Sequence, residues 1–287
     1  MSLRLSASHV LRVLVLAAMA ALAVAAFGGA SAGVRHASVM HHGRPIVSVG
    51  ANQSNNWSGY NQGALEQGGK TFTSVAGTWT VPTATARKAN ESEYSATWIG
   101  IGGGCIDAGC MTTDATLIQD GTGQDIDSTG HASYYAWWEL IPAPSVTLSG
   151  CSTDASCTVM AGDQISSTIA SVGGLWTMSM TNTTRGWTWS MTVPYSSTEG
   201  SAEWIEETPV VVDNSGNVSV GPMPNLSGAH FDLAQANGAA AGLKASEEIQ
   251  LVDFNRNVIA TPSAPDSDAD GFNVCTYSSS CGSPPSS

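Results

Sequence analysis

Positive charge is what this chain has least of. Of its 287 residues only ten are Lys or Arg, and four of these, Arg4, Arg12, Arg35 and Arg44, precede residue 50, whereas all 23 Asp and Glu follow it. The body therefore sets six bases against 23 acids. So acidic a surface repels nucleic acid and anionic membranes, which excludes both as partners. With few cations available, many carboxylates must be solvated or hydrogen-bonded to neutral donors, and their mutual repulsion weakens as pH falls. An acidic working environment follows.

Other absences remove whole chemistries. Beyond the N-terminus no apolar run is long enough to cross a bilayer. After residue 50 the only histidines are His131 and His230, and neither sits in a motif that would make it the base of a serine triad. The GASAG at 29–33 matches G-x-S-x-G but follows no strand of the mature fold. A single DSTG at 127–130 does not supply the paired signatures of pepsin-like enzymes. HExxH, the P-loop and GxGxxG are missing in usable context. No CxxC occurs either: the six cysteines form three close pairs, Cys105/Cys110, Cys151/Cys157 and Cys275/Cys281, which read as short-loop disulfides of an exported protein, since no histidine lies near any pair to complete a zinc site. Neither metal nor cofactor is expected.

What is present begins with Arg4 and Arg12, an apolar run over 13–27, and Ala30-Ser31-Ala32, the pattern of a secretory signal with its cleavage site. Residues 1–32 read as a signal peptide, 33–50 as a basic leader or pro-segment without acids, and 51–287 as the folded domain of a secreted protein, expected to be a monomer. From Asn55 onward, short runs rich in Thr, Val, Trp and Tyr are punctuated by Gly, Asn, Ser and Pro, which predicts an all-β, two-sheet antiparallel β-sandwich. The only stretches that read as helical are brief, such as residues 233–243. Trp176, Trp187 and Trp189 alternate with small polar residues; they line either one packed face of a sheet or an open aromatic face for an extended ligand.

Carboxylates are scarce enough that AEWIEETP, residues 202–209, stands out. On a strand Glu203, Ile205 and Glu207 share one face and Trp204 and Glu206 the other. At least one glutamate must then meet solvent, a groove or a polar network, because a buried unpaired carboxylate is too costly to keep ionised. A second candidate is Glu139, flanked by Trp137, Trp138 and Leu140, an apolar setting of the kind that tunes a carboxyl for acid or base work. Asp266, Asp268, Asp270 and Gly271 reproduce the first half of a calcium loop, but Tyr277 occupies its twelfth position and no helices flank it, so an EF-hand is excluded and the segment reads as an acidic turn.

These motifs, NWSGY at 56–60, GTWTVP at 77–82, WIGIG at 98–102, LIQDG at 117–121, YAWWE at 135–139 and AEWIEE at 202–207, together resemble the eqolisins, the glutamic peptidases. The resemblance implies a concanavalin-like sandwich of two curved sheets that cuts proteins or peptides at acidic pH with a Gln/Glu pair and no metal. By motif the glutamine is Gln119 and the glutamate Glu207, with Trp98 at the site, Glu139 as a supporting acid and Trp137 beside it. The remaining glutamates of AEWIEE would be solvated on the alternate face or would support the base. One departure is Gly102, where many relatives carry Asp. Two other functions fit the same residues: a carbohydrate-binding sandwich using its tryptophans, and a glycoside hydrolase using Glu139 and Glu207 as its carboxyl pair.

Overall fold

Alternation of large apolar with small polar residues builds thirteen principal strands, which we number in chain order: β1 Trp57–Gly63, β2 Ser74–Thr80, β3 Ala96–Gly102, β4 Leu117–Ile126, β5 Ala132–Leu140, β6 Gln164–Val172, β7 Leu175–Asn182, β8 Trp187–Pro194, β9 Ser201–Glu207, β10 Ala229–Ala236, β11 Glu248–Val252, β12 Val258–Pro262 and β13 Phe272–Thr276. The computed structural model describes residues 39–41, 46–212 and 218–286. The signal-peptide reading of residues 1–32 lies outside the described residues, as does most of the leader. Residues Ser38–Ser287 cluster as one body. Among the described residues no helix is long and apolar enough to cross a membrane.

The strands form two antiparallel sheets. The first runs β5-β4-β3-β9-β1-β11, with the short Val146–Thr147 strand outside β5. The second runs β11-β12-β13-β10-β2-β6-β7-β8. Strand β11 belongs to both, so one continuous hydrogen-bonded surface folds back on itself there.

Between the sheets lies the larger apolar cluster, which includes Tyr60, Trp79, Ile99, Trp176, Trp187, Trp189, Trp204, Phe231 and Phe272. Rings of this size bury the most apolar surface per residue, and their polar atoms find partners on the facing sheet. The Trp204 indole donates to the Ala76 carbonyl at 2.8 Å, and that of Trp79 to the Thr122 hydroxyl at 3.0 Å. Phe231 and Phe272 stack with centroids 4.7 Å apart. Trp176, Trp187 and Trp189 are thus packed core residues, and the open aromatic face that a carbohydrate-binding module would need is not made by them.

Residues 233–243 are not helical. The segment is the end of β10, a turn, and a returning strand that pairs Ala236 with Ala239. Asn237 and Gly238 both take positive φ, +52° and +75°. This is the Asn-Gly turn that suits the twist of a two-residue hairpin, and it overrides the helix preference of the surrounding alanines. All three cysteine pairs are disulfides, with Cα separations of 4.8, 5.3 and 5.5 Å.

Candidate active site

Strand β9 carries AEWIEE through the middle of the first sheet, between β1 and β3. Its alternation is the one anticipated from sequence. Ala202 and Trp204 enter the core between the sheets, and Ile205 joins a second cluster on the outer face with Trp57, Ala96, Trp98, Leu117 and Trp137. Glu203 and Glu207 accordingly share the outer face, and Glu206 points inward. None of the three is solvated, since each is fully buried. Of the two alternatives left for the remaining glutamates, solvation on the alternate face is therefore excluded. Glu206 instead accepts a 2.6 Å hydrogen bond from the Thr97 hydroxyl, and burial first, then the charge of Glu207, pushes its pKa well above the ordinary range. Glu203 is pushed up likewise by burial and, less, by Asp114, against the pull of Ser201 and the Gly104 N–H. A proton retained at low cost replaces the missing cation at both positions.

Register fixes which other side chains share the outer face with Glu207. On β3 Ala96 lies opposite Glu207, and Trp98 and Gly100 follow on the same face. Gly100 is opposite Gln119 of β4, which in turn is opposite Glu139 of β5. Trp137, two residues before Glu139, is opposite Gly121. Gln119, Glu207, Trp98, Glu139 and Trp137 thus lie on one face of one sheet, and all are buried.

Their contacts link them. The Trp98 indole N–H donates to Glu207 Oε2 at 2.8 Å. The ring of Trp98 extends the other way over Gly100, where a Cβ would sit 2.9 Å from its Cζ3. The indole therefore spans the sheet from Glu207 toward the position opposite Gln119, and Trp57 packs edge-on against it, centroids 4.9 Å apart at 78°. Gln119 donates through Nε2 to Glu139 Oε2 at 2.8 Å. Burial, reinforced by the negative charge of Glu207, raises the Glu139 pKa to about 9, while the hydrogen bonds from Gln119 and from the Ser145 backbone pull the other way. Glu139 is thus a neutral acid across the acidic and neutral range, and only one of the two carboxyls has to carry charge.

Two features escaped the sequence reading. Gly102 adopts φ +88°, and a Cβ there would lie 2.1 Å from the Thr116 carbonyl, so no other residue fits without moving the backbone. The carboxylate nearest that point is Asp114, with Oδ2 3.2 Å away. Buried Asp114 accepts from the Thr116 N–H and hydroxyl at 2.8 Å, from the Gly200 N–H at 2.8 Å and from the Thr198 hydroxyl, which clamps the entry of β4 to the entry of β9. Thr97 is the second: it lies at the start of β3, outside the WIGIG motif, and its hydroxyl is what lets Glu206 face the core.

No curated protein sequence matches the chain. Among solved structures, two crystal structures of scytalido-glutamic peptidase with transition-state analogues align with TM-scores of 0.60 and 0.58, at 19% and 20% identity, covering 77% of this chain and 98% of each of those. SCP-B, described as a member of the eqolisin family of peptidases and solved with the tripeptide Ala-Ile-His, aligns at 0.56 and 19% identity with the same coverage. At such identities the likeness is one of fold. A sequence model of the Peptidase A4 family matches residues 55–273, from just before β1 into β13, and so takes in every strand that bears on the outer-face cluster; the chain belongs to that family.

Proposed function

We propose that the chain is a secreted acid endopeptidase, built on a concanavalin-like sandwich, in which Glu207 is the general base and Gln119 stabilises the oxyanion. The observation that carries this reading is that the two side chains, from strands 88 residues apart in sequence, share the outer face of one sheet, each held by a neutral partner, Trp98 for Glu207 and Glu139 for Gln119.

Ionised Glu207 takes a proton from a water set against the scissile carbonyl and returns it to the leaving nitrogen. The bond from the Trp98 indole strengthens with negative charge on Oε2 and so fixes that oxygen during the transfer. The Gln119 amide nitrogen carries two hydrogens. Glu139 takes one, which sets the plane of the amide; the other donates to the developing oxyanion, and Oε1 accepts from the attacking water. Because an amide is neutral at every pH, this half of the machinery works unchanged in acid.

Burial of the whole cluster in the full-length chain has a counterpart in the leader. The backbone of Val39–His41 pairs antiparallel with Val210–Val212, three residues beyond Glu207. Ile46 packs in the outer-face cluster with Trp57, Trp98 and Ile205, and its N–H donates to the Gly103 carbonyl at 2.8 Å. We read residues 33–50 as a pro-segment whose removal after export opens the site. The deciding assay is protein digestion at low pH by the chain freed of residues 1–50, beside its Glu207→Gln and Gln119→Ala variants. Wild-type cleavage lost in both variants supports the assignment; cleavage retained in Glu207→Gln, or polysaccharide hydrolysis in place of proteolysis, refutes it.

A further inference from the structure

We propose that Asp232, Asp266 and Asp270 form a calcium site that ties the loop between β12 and β13 to strand β10. Asp232 lies at the bulge where the pairing of β10 with β2 changes register, and Asp266 and Asp270 come from the loop, more than 30 residues later. Chain folding therefore adds a third carboxylate to a turn that by sequence offered only its own. One oxygen from each of the three lies within 4.8 Å of the others. Ligands on a common calcium ion sit about 2.4 Å from it, so no two can be more than about 4.8 Å apart, and the cluster already meets that limit.

Two independent observations point to an occupant between them. Asp266 is 92% buried, being only 8% exposed, and although its Oδ1 accepts from the Asp270 and Gly271 N–H groups, its Oδ2 has no hydrogen-bond partner; the same holds for Oδ1 of Asp270. A buried carboxylate oxygen left unmatched is costly, and a cation is the partner such an atom lacks. The second is the space itself. At Gly271 a Cβ would lie 2.4 Å from that same Asp266 Oδ2 and 3.2 Å from Asp232 Oδ1, so glycine keeps open a small gap between two facing carboxylates. Asp232 and Asp270 are only partly buried, which leaves room for the water ligands that bring calcium to six or more oxygens. Hard oxygen donors with no nitrogen or sulfur favour calcium over transition metals.

The test uses the full chain, stripped with a chelator and titrated with calcium chloride at neutral pH, followed by calorimetry and by thermal melting. Wild type is expected to bind one ion and to melt at higher temperature with calcium. Asp266→Asn is expected to weaken binding at least roughly tenfold and to lose the calcium-dependent shift, while melting no lower than wild type in chelator, because it removes a buried charge. Should Asp266→Asn fail to fold, Asp232→Asn, at a half-buried position, reads the same loss. An absence of heat and melting shift in wild type, or wild-type binding in the folded variants, overturns the proposal. The site is distinct from the outer-face cluster, so this result is independent of whether the chain cleaves protein.

Discussion

Gln119 and Glu139 face each other on paired strands β4 and β5, and the amide of the first donates to the carboxyl of the second at 2.8 Å. Because Glu139 is held neutral, with its pKa at about 9, it serves as a fixed acceptor that orients the amide. Glu139→Gln keeps an acceptor of the same shape and should retain kcat within about tenfold of wild type. Glu139→Ala releases the amide, leaves a cavity and should cost about a hundredfold, or about 3 kcal/mol of transition-state stabilisation. Steady-state kinetics on both variants check this; equal losses would contradict an orienting role.

Trp98→Phe removes the indole N–H that donates to Glu207 while keeping a ring against Trp57. A hydrogen bond to a charged acceptor is worth about 1.5–3 kcal/mol, so kcat/KM should fall roughly ten- to hundredfold. The acid limb of the pH–rate profile should move to higher pH, because the anion loses a donor. An unmoved limb would show that the indole acts only as packing.

Stability should fall as pH rises. Burial raises the pKa of Asp120 to about 8, of Asp125 to about 7 and of Glu139 to about 9. In the unfolded chain these groups ionise near pH 4. Their protonated forms therefore support the fold fully below about pH 4, and that support is lost progressively as pH rises from there through the folded-state values of about 7 to about 9. Thermal melts across the acidic to alkaline range should show highest stability in acid. Asp120 accepts a 2.5 Å bond from Ser167 across the core, and Asp120→Asn should flatten the decline by on the order of 1 kcal/mol or more at neutral pH. A profile unchanged by this substitution would assign the loss to other groups.

Gly102→Asp introduces the residue that the eqolisin resemblance led one to expect here, yet it should destabilise. At φ +88°, with a Cβ 2.1 Å from the Thr116 carbonyl, the side chain forces β3 and the entry of β4 apart. Left-handed strain alone costs about 1–3 kcal/mol, and the clash adds to it. Chemical denaturation measures the change, and a neutral or stabilising result would mean that the backbone here relaxes readily.

Much of this arrangement was legible in the amino-acid order. Period-two alternation in AEWIEE placed Glu203 and Glu207 together and opposite Glu206, because a strand admits no other geometry. The motif LIQDG singled out Gln119 by resemblance alone, and its place on β4 opposite Glu139 comes from the fold. Alternation does not reveal what lies across each position, however, and the choice between solvated and supporting glutamates stayed open because the Thr97 hydroxyl that meets buried Glu206 is a tertiary fact. Residues 233–243 were misread because alanine content outweighed the Asn237-Gly238 pair, a two-residue signal that fixes a hairpin. Asp114 was passed over for a different reason: it sits in a loop without periodicity, and only chain closure brings it to Gly102 and Gly200.

The disulfides close loops of only five or six residues, Cys105 to Cys110, Cys151 to Cys157 and Cys275 to Cys281. By chain-entropy reasoning a ring so small restricts the unfolded polypeptide by about 2 kcal/mol, and none of the three joins one sheet to the other. Reduction should slacken individual bends while the tryptophan-filled interior holds, so production in a reducing cytoplasm ought to give a foldable protein whose tolerance of heat, rather than whose architecture, is diminished.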